Sequence, residues 1–270
     1  MIIYPNAKIN IGLNITEKRQ DGFHNIETIF YPIALSDILE INISNDKINF
    51  KNTGLSIENK SFESNICYKA YQELTSDFSL KPIDIHLHKI IPFGAGLGGG
   101  SSDASFTLKT INSLMKLNLN NNDLIRYAEE VGSDCPFFII NKPSFATEKG
   151  NILSPIDLNL KGYFLVLVHP GININTAKAY ARTIPKRPKT SLLELIKQPI
   201  EDWKETIKND FEDSVFKDHP ILKDLKDQLY DLGASYASMS GSGSAVFGIF
   251  KNKIDIQTNF SKCFTWTEVL

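Results

Sequence analysis

The sequence is poor in cysteine and has no excess of charge of one sign. Its three cysteines, Cys67, Cys135 and Cys263, lie far apart, with no CxxC pair and no neighbouring pair of histidines. This spacing indicates neither a disulfide framework nor a zinc site, so we expect reduced thiols. The 29 basic and 31 acidic residues leave a net charge of −2. A general nucleic-acid-binding protein usually carries a strongly basic face, so this class is not indicated.

Long apolar runs are also missing. No segment approaches the roughly 20 apolar residues that a membrane-spanning helix needs. The first residues, Met1-Ile2-Ile3-Tyr4-Pro5, do not form a basic region followed by an apolar stretch, which is the pattern of a secretory signal. We therefore expect a soluble, cytoplasmic protein that binds neither nucleic acid nor membrane.

The length of 270 residues and the 42% hydrophobic content are enough for a sizeable core. This length suits one large domain or two smaller ones. The first half is rich in strand patterns and the second half is mixed, which indicates an α+β protein of two lobes. The pattern is weakest around residues 149–161, and we place the domain boundary there, giving domains 1–155 and 156–270.

Hydrophobic periodicity predicts the main elements. Strands are predicted at residues 7–15, 26–33, 38–43, 83–88, 163–168, 236–239 and 245–250. Helices are predicted at 65–78, 102–117, 123–131, 176–182, 191–197 and 220–232. Alternation in the first strand predicts that one face is buried and that Lys8 and Asn10 lie side by side on the polar face.

A glycine cluster separates the predicted strand 83–88 from the helix expected to open at Ser102. Five of the 16 glycines fall between Gly94 and Gly100. Glycine lets backbone N–H groups approach an anion closely, and a helix N-terminus adds partial positive charge. The pattern predicts a phosphate-binding loop. Its residues are Pro92, Phe93, Gly94, Ala95, Gly96, Leu97, Gly98, Gly99, Gly100, Ser101 and Ser102.

Two familiar phosphate motifs do not fit. A Walker A loop has Lys after its last glycine, whereas Ser101 follows Gly100 here. The dinucleotide pattern GxGxxG matches at Gly94, Gly96 and Gly99. The helix that follows leads to another helix, however, and not to a second strand ending in an acidic residue. A flexible glycine turn is the remaining structural alternative.

Five motifs, in the same order along the chain, resemble the GHMP kinase superfamily. The loop from Pro92 to Ala104 resembles its phosphate loop, and Gly-Leu-Gly-Gly-Gly-Ser-Ser resembles the form in the branch that acts on a cytidine-linked methylerythritol. The other four are Pro5-Asn6-Ala7-Lys8-Ile9-Asn10, Asp21-Gly22-Phe23-His24, Ser133-Asp134-Cys135-Pro136-Phe137-Phe138, and a C-terminal group made of His169-Pro170-Gly171 with 176–180 and 239–244.

The resemblance implies a two-lobed GHMP kinase fold, with an N-terminal α/β lobe and a C-terminal ferredoxin-like α/β lobe. It also implies transfer of the γ-phosphate of ATP, with Mg²⁺, to the 2-hydroxyl of cytidine-diphosphate methylerythritol. This reaction is a step of the non-mevalonate route to isoprenoid precursors. The small-molecule substrate would be the partner of a monomer or homodimer.

The resemblance also implies roles for individual residues. Lys8 and Asp134 would act on the substrate hydroxyl, and Asn10 would bond the substrate. Phe23 and Tyr180 would stack on the two faces of the cytosine, with His24 at its edge. By local sequence alone, Asp134 is a helix N-cap, Lys8 is a polar-face lysine, and the aromatics belong to the core or its rim.

This chain departs from the family pattern at two places. Gly99 and Gly100 occupy the usual places of the serines, so no metal ligand is assigned. Phe23 replaces a usual Tyr, which keeps stacking but loses a hydroxyl. His86 and His88 alternate on one strand and lack a third ligand, so we interpret them as surface histidines. Residues 241–244 are either a hairpin turn or a second glycine-rich wall over the triphosphate.

Two other functions stay open from the sequence. One is another GHMP kinase, of the mevalonate or homoserine type. The presence of Phe23, His24 and Tyr180 argues against it, because those substrates have no base to stack. The other is a GHMP-fold nucleotide sensor without turnover, and the presence of both Lys8 and Asp134 argues against that.

Overall fold

The computed structural model describes residues 1–55, 62–256 and 259–270. The strands are β1 (Ile2–Ile3), β2 (Asn6–Lys18), β3 (His24–Ser36), β4 (Ile38–Ile43), β5 (Asn49–Gly54), β6 (Ile83–Lys89), β7 (Ser144–Thr147), β8 (Ile152–Pro155), β9 (Phe164–His169), β10 (Tyr236–Met239), β11 (Val246–Phe250) and β12 (Phe264–Val269). The helices are α1 (Ile66–Thr75), α2 (Gly99–Met115), α3 (Asn121–Val131), α4 (Cys135–Ile140), α5 (Thr176–Arg182), α6 (Leu192–Leu195), α7 (Trp203–Thr206), α8 (Glu212–Asp218) and α9 (Pro220–Asp231).

The chain folds into two compact units that interleave along the sequence. Unit 1 comprises residues 1–7, 34–92 and 98–142, and unit 2 comprises 8–33, 93–97 and 143–270. The glycine loop is therefore shared, because residues 93–97 pack with unit 2 and residues from Gly98 onward pack with unit 1. The division into domains 1–155 and 156–270 stays a prediction.

Unit 1 packs helices α1 to α4 with a four-stranded sheet in the order β1-β4-β6-β5. Strands β4 and β6 pair antiparallel, while β5 runs parallel to β6. Alternate residues of β6 are buried, as expected for a strand covered on one face. The core is apolar and includes Leu39, Leu87, Leu108 and Ile111.

Unit 2 contains two further four-stranded sheets, β2-β3-β7-β8 and β10-β11-β9-β12. Every residue of β9 is buried, which matches its continuous apolar run in the centre of the second sheet. Helix α9 packs on β10 and β11, and its buried residues Leu222, Leu225 and Leu229 follow helical spacing.

Helix ends follow the capping signals in the sequence. Asn65 caps α1 by accepting the N–H of Cys67. Asn120 and Asp123 form a reciprocal capping box at α3, and Gly132 ends that helix. None of the helices in the described residues has both the length and the apolar character needed to cross a membrane.

The predicted strands and helices are all present, with two corrections of substance. Strand β2 is not half-buried over its first part, because every residue from Ala7 to Leu13 is buried, Lys8 and Asn10 included. Other segments of unit 2 cover its polar face. Helix α2 begins at Gly99 and not at Ser102. The low helix propensity of glycine favoured a later start, whereas packing requires glycine in this first turn.

Several short elements were missed by the sequence prediction: β1, β5, β7, β8, β12, α7 and α8. They are between two and seven residues long. Periodicity needs a longer window to appear above chance. Helix 191–197 was predicted too long, because α6 ends at Leu195.

Candidate active site

The second half of the glycine loop opens helix α2 within unit 1. Gly98 precedes the helix with a left-handed φ of 70°, and no side chain caps the first turn. By helix geometry, the N–H groups of Gly99, Gly100 and Ser101 have no carbonyl partner inside the helix. A Cβ on Gly99 would lie 2.9 Å from Ile91 Cγ2, so only glycine fits. This turn presents backbone donors and the positive end of a 17-residue helix to an anion.

The first half of the loop lies against other segments of unit 2. The Gly96 carbonyl accepts hydrogen bonds from Lys8 Nζ at 2.8 Å and from Ser240 Oγ at 2.9 Å. Ala245 donates its N–H to the carbonyl of Ala95 at 3.1 Å, and Lys8 donates its N–H to that of Leu97 at 3.0 Å. Gly96 has a φ of 76°, and a Cβ there would lie 1.9 Å from the Ser240 carbonyl oxygen. Only glycine allows this approach.

Lys8 and Asn10 lie in a buried polar network. Lys8 is 3% exposed and Asn10 is 2% exposed. The Lys8 ammonium donates to Asn10 Oδ1 and lies 5.0 Å from the centre of the Phe30 ring. Asn10 donates its amide group to Thr28 Oγ1 at 2.9 Å and its backbone N–H to Ser240 Oγ at 3.1 Å. The network therefore holds a buried positive charge directly beside the loop.

Residues 239–244 form a turn that shares this network. Ser240 accepts the Asn10 N–H with its hydroxyl and donates that hydroxyl to Gly96. Gly241 and Gly243 take φ values of 55° and 86°, which favour glycine. Thr176 Oγ1 lies 2.9 Å from Ser242 Oγ. The turn joins β10 to β11, as expected for a hairpin, and it also packs on residues 95–96.

Asp134 stands at the N-cap position of α4 in unit 1, but its side chain accepts no capping hydrogen bond. The residue is half-buried. Cys135 and Pro136, which follow it, are fully buried in the first turn of α4. Capping is the common use of aspartate at such a position. The side chain therefore does not take the capping role that the local sequence predicts.

The three residues predicted to bind a base lie in unit 2. The rings of His24 and Tyr180 stack at a centroid distance of 4.9 Å with 15° between their planes. Tyr180 also meets Phe211 edge-on at 4.8 Å. Phe23 is 57% exposed, and Lys149 Nζ lies 5.1 Å from its ring centre. The structure thus joins His24 to Tyr180 by a stack, where the family pattern implied an edge contact with the base.

Hydrogen bonds and charges near Phe23 and His24 influence this aromatic cluster. Asp21 accepts the N–H of Phe23 at 3.0 Å, and Arg19 bonds to both Asp21 and Glu148. The pKa of His24 is lowered by burial and, to a lesser extent, by the charge of Lys18. His24 is therefore neutral at pH 7, so one ring nitrogen donates and the other accepts hydrogen bonds.

The remaining sequence candidates take structural roles. His86 and His88 both bond to Thr53 Oγ1, each at 2.9 Å. The described residues include no group of three or more His, Cys, Asp or Glu side chains arranged to hold a metal ion. Cys67, Cys135 and Cys263 are free thiols, as expected. Burial raises the pKa of the Cys135 thiol to about 12, so it is unreactive at neutral pH.

Comparison with known proteins places this geometry in a family. The GHMP kinases N terminal domain matches residues 65–142, and the GHMP kinases C terminal domain matches residues 191–262. A 4-diphosphocytidyl-2-C-methyl-D-erythritol kinase of Bacteroides fragilis is 52% identical over 272 residues, covering 98% of both chains. The kinase of that name from Parabacteroides distasonis is 50% identical over 268 residues, again covering 98% of both.

The chain belongs to the GHMP kinase family. A crystal structure of a 4-(cytidine 5'-diphospho)-2C-methyl-D-erythritol kinase has a TM-score of 0.78 and 30% identity, and the match covers 92% of this chain and 90% of that one. The predicted α+β GHMP fold is confirmed, and the chain is an ATP-dependent kinase of this family.

A buried ion cluster in unit 1 of this GHMP kinase was not predicted from the sequence. Lys89, at the end of β6, bonds to Asp37 and, at 2.9 Å, to Asp103 in the second turn of α2. All three side chains are at most 2% exposed. Asp37 also accepts the N–H groups of Ile90 and Ile91, at 2.6 and 2.9 Å. No local pattern indicates this cluster, because its members are 14 and 52 residues apart.

The two carboxyl groups of the cluster, Asp37 and Asp103, lie in different electrostatic environments. Burial raises the pKa of Asp103 to about 8, with a further contribution from Asp37, although Lys89 acts in the opposite direction. Asp103 Oδ1 has no hydrogen-bond partner among the described residues, whereas Asp37 accepts two backbone N–H groups. Asp103 is therefore the carboxylate that more readily takes a proton.

We predict that Asp103→Asn flattens the pH dependence of stability. Between the unfolded pKa of about 4 and the folded pKa of about 8, the folded protein keeps a proton that the unfolded chain has lost. The free energy of unfolding must then fall as pH rises, by up to about 1.4 kcal/mol per pH unit from this group. Urea unfolding across this range should show a shallower fall in Asp103→Asn. The exposed control Asp46→Asn should keep the wild-type slope, and an unchanged slope in Asp103→Asn would mean that Asp103 does not titrate in this range.

Proposed function

We propose that this chain transfers the γ-phosphate of ATP to the 2-hydroxyl of 4-diphosphocytidyl-2-C-methyl-D-erythritol, in the non-mevalonate route to isoprenoid precursors. The observation that carries the proposal is the identity of 50–52%, over nearly the full length, with curated kinases named for this substrate. The aromatic cluster of His24 and Tyr180 agrees with a substrate that contains a base. We further propose that the enzyme is cytoplasmic and acts as a monomer or homodimer.

In this proposal the glycine loop binds the triphosphate. The first-turn amides of α2 supply hydrogen-bond donors for phosphate oxygens. The buried ammonium of Lys8, which holds the Gly96 carbonyl at 2.8 Å, adds positive charge close to the loop. Phosphoryl transfer depends mainly on such positioning and charge stabilisation, because the transition state spreads negative charge over the phosphoryl oxygens.

We propose Mg²⁺ as the accompanying ion, which when bound neutralises phosphate charge. The observation that fits it is Ser102 Oγ, a buried hydroxyl in the first turn of α2 with no hydrogen-bond partner among the described residues. Mg²⁺ in kinases is held by few protein oxygens together with phosphates and waters. A cluster of several carboxylates is therefore not needed.

Asp134 is proposed to orient the attacking hydroxyl and accept its proton. The support is its place in the motif Ser133-Asp134-Cys135-Pro136. Lys8 is proposed to act on the same hydroxyl, with Asn10 as a further substrate contact. Phosphoryl transfer depends mainly on positioning and charge stabilisation, so orientation of the hydroxyl carries much of the effect.

The cytosine is proposed to stack on Phe23 and Tyr180, with His24 bonding its edge. Because His24 covers one face of Tyr180 in the structure, a base that stacks on that face must displace the imidazole. The displaced ring then lies beside the base, where the neutral imidazole can donate or accept a hydrogen bond. The exposed ring of Phe23 closes over the other face of the base.

The proposed substrate is tested by measuring ADP release with a panel of alcohols. We expect turnover with the cytidine-diphosphate methylerythritol and little with mevalonate, homoserine or galactose, which lack a base. Comparable turnover of mevalonate would replace the proposal with the second kinase class. ATP binding without turnover of any alcohol would indicate a nucleotide sensor.

We predict that Tyr180→Ala raises KM for the cytidine substrate by roughly 5- to 150-fold, since stacking on an aromatic ring contributes roughly 1–3 kcal/mol per base. KM for ATP should change little. Steady-state kinetics with each substrate varied in turn provide the measurement. Tyr180→Phe is the matched control, because it keeps the ring and removes only the hydroxyl. A loss confined to ATP would mean that Tyr180 belongs to the nucleotide pocket.

We predict that Asp134→Asn lowers kcat by roughly 10²- to 10⁴-fold, the usual range for general-base assistance. The melting temperature should stay close to wild type, because Asn keeps the size of the side chain and caps helices about as well as Asp. The exposed control Asp157→Asn should keep full activity.

Lys8→Ala should also lower kcat severely. The double variant should lose much less than the product of the single losses if both residues act on one hydroxyl. Normal turnover by Asp134→Asn would contradict a catalytic role.

A further inference from the structure

Asn209 is a buried residue of unit 2 that the proposed reaction does not yet use. It is 3% exposed and lies beside β2, where Leu13 exchanges backbone hydrogen bonds with Lys208 and Asp210 at 2.9 and 2.8 Å. Its amide group donates to the carbonyl oxygens of Met239 and Gly241, both at 2.8 Å. Its Oδ1 accepts the N–H of Phe211 at 3.0 Å. Nδ2 thus donates two hydrogen bonds and Oδ1 accepts one.

Glu212 also forms hydrogen bonds to the C-terminal end of β10. Its carboxylate accepts the N–H of Met239 at 2.8 Å and the hydroxyl of Ser238 at 3.2 Å. The other carboxylate oxygen pairs with Lys226 at 2.6 Å. Asn209 and Glu212 together therefore bond both backbone polar groups of Met239 and the carbonyl of Gly241. The residue between these two anchored positions is Ser240.

Ser240 links the anchored residues Met239 and Gly241 to the glycine loop. Its hydroxyl donates to Gly96 at 2.9 Å and accepts the N–H of Asn10 at 3.1 Å. The Gly96 carbonyl also accepts the Lys8 ammonium at 2.8 Å. The backbone of Ser240 lies so close to Gly96 that no side chain fits between them. A shift of Ser240 therefore acts directly on Gly96 and Asn10, and Lys8 bonds to both of these residues.

A local turn role explains only one of the three side-chain hydrogen bonds of Asn209. The bond from Phe211 N–H to Oδ1 is a common turn interaction that aspartate also makes. The two donor bonds to Met239 and Gly241 need the amide group, which aspartate lacks. We propose that Asn209 is a positioning residue for phosphoryl transfer, acting through Met239, Gly241 and Ser240 on Gly96 and Lys8. This inference rests on the proposed function of the loop in binding ATP.

The decisive variant is Asn209→Asp, which keeps the acceptor and removes both donors. At about pH 8 an ionised carboxylate would face two carbonyl oxygens in a buried position close to Asp210 and Glu212, with Lys226 bonded to Glu212. We expect kcat to fall by roughly 10- to 100-fold, the usual consequence of leaving buried polar groups unpaired. We also expect weaker binding of a non-hydrolysable ATP analogue, while KM for the cytidine substrate stays within about twofold.

Lower pH should restore activity in this variant. A buried carboxyl has a raised pKa, and its protonated form donates one hydrogen bond. The ratio of wild-type to Asn209→Asp kcat should therefore shrink between about pH 8 and pH 6. Asn159→Asp is the matched control, because exposed Asn159 uses only its oxygen, to accept the N–H of Lys161 at 2.8 Å. That variant should match wild type at every pH.

Ser240→Ala provides a second test if Asn209→Asp unfolds. It removes only the hydroxyl that joins Asn10 to Gly96, and we expect it to lower kcat and weaken ATP-analogue binding. Wild-type kinetics in folded Ser240→Ala, or a kcat ratio for Asn209→Asp that does not change with pH, would overturn the proposal. If wild-type protein binds ATP but does not phosphorylate the cytidine compound, the proposed function fails, and ATP-analogue affinity then tests Asn209 independently.

Discussion

The buried ammonium of Lys89 is the interaction on which the start of α2 and the end of β6 in unit 1 depend. It bonds to Asp37, which also accepts backbone N–H groups after β6, and to Asp103 in the second turn of α2. The strand that enters the glycine loop and the helix that leaves it are therefore tied to one charge. Removing one member of a buried ion cluster typically costs 3–5 kcal/mol, because the others are left buried without a partner. The loop is thus anchored at both ends before any ligand binds.

Close backbone approach is the second constraint on this loop. Within unit 2, the Ser240 carbonyl occupies the space that a Cβ on Gly96 would need, and within unit 1, Ile91 occupies the space beside Gly99. Each of these contacts forbids any side chain, for reasons independent of phosphate. Glycine in this loop therefore serves two purposes: it exposes N–H groups to an anion, and it lets neighbouring backbone pack against the loop.

Burial explains how ordinary polar residues acquire chemical roles here. Lys8 and Asn10 lie on the face of β2 that alternation marks as polar, yet Thr28, Ser240 and Gly96 enclose them. Out of water, a positive charge acts more strongly on nearby phosphate oxygens, because the local dielectric is low. The same enclosure requires that each polar atom has a partner, which is why the network extends to Asn209.

The sequence by itself determined the order of the longer strands and helices, their approximate ends and the position of the glycine loop between β6 and α2. These depend on periodicity, capping residues and glycine content, which are local properties of the chain. The family motifs determined the fold class and the candidate residues from Lys8 to Tyr180. Only the tertiary structure decided that β2 is buried on both faces, that α2 begins at Gly99, and that His24 stacks on Tyr180. It alone revealed the partners of Lys89 and Asn209, because those contacts join residues 14 to 52 positions apart. Such pairings arise from packing between distant segments, and no local pattern in the chain encodes them.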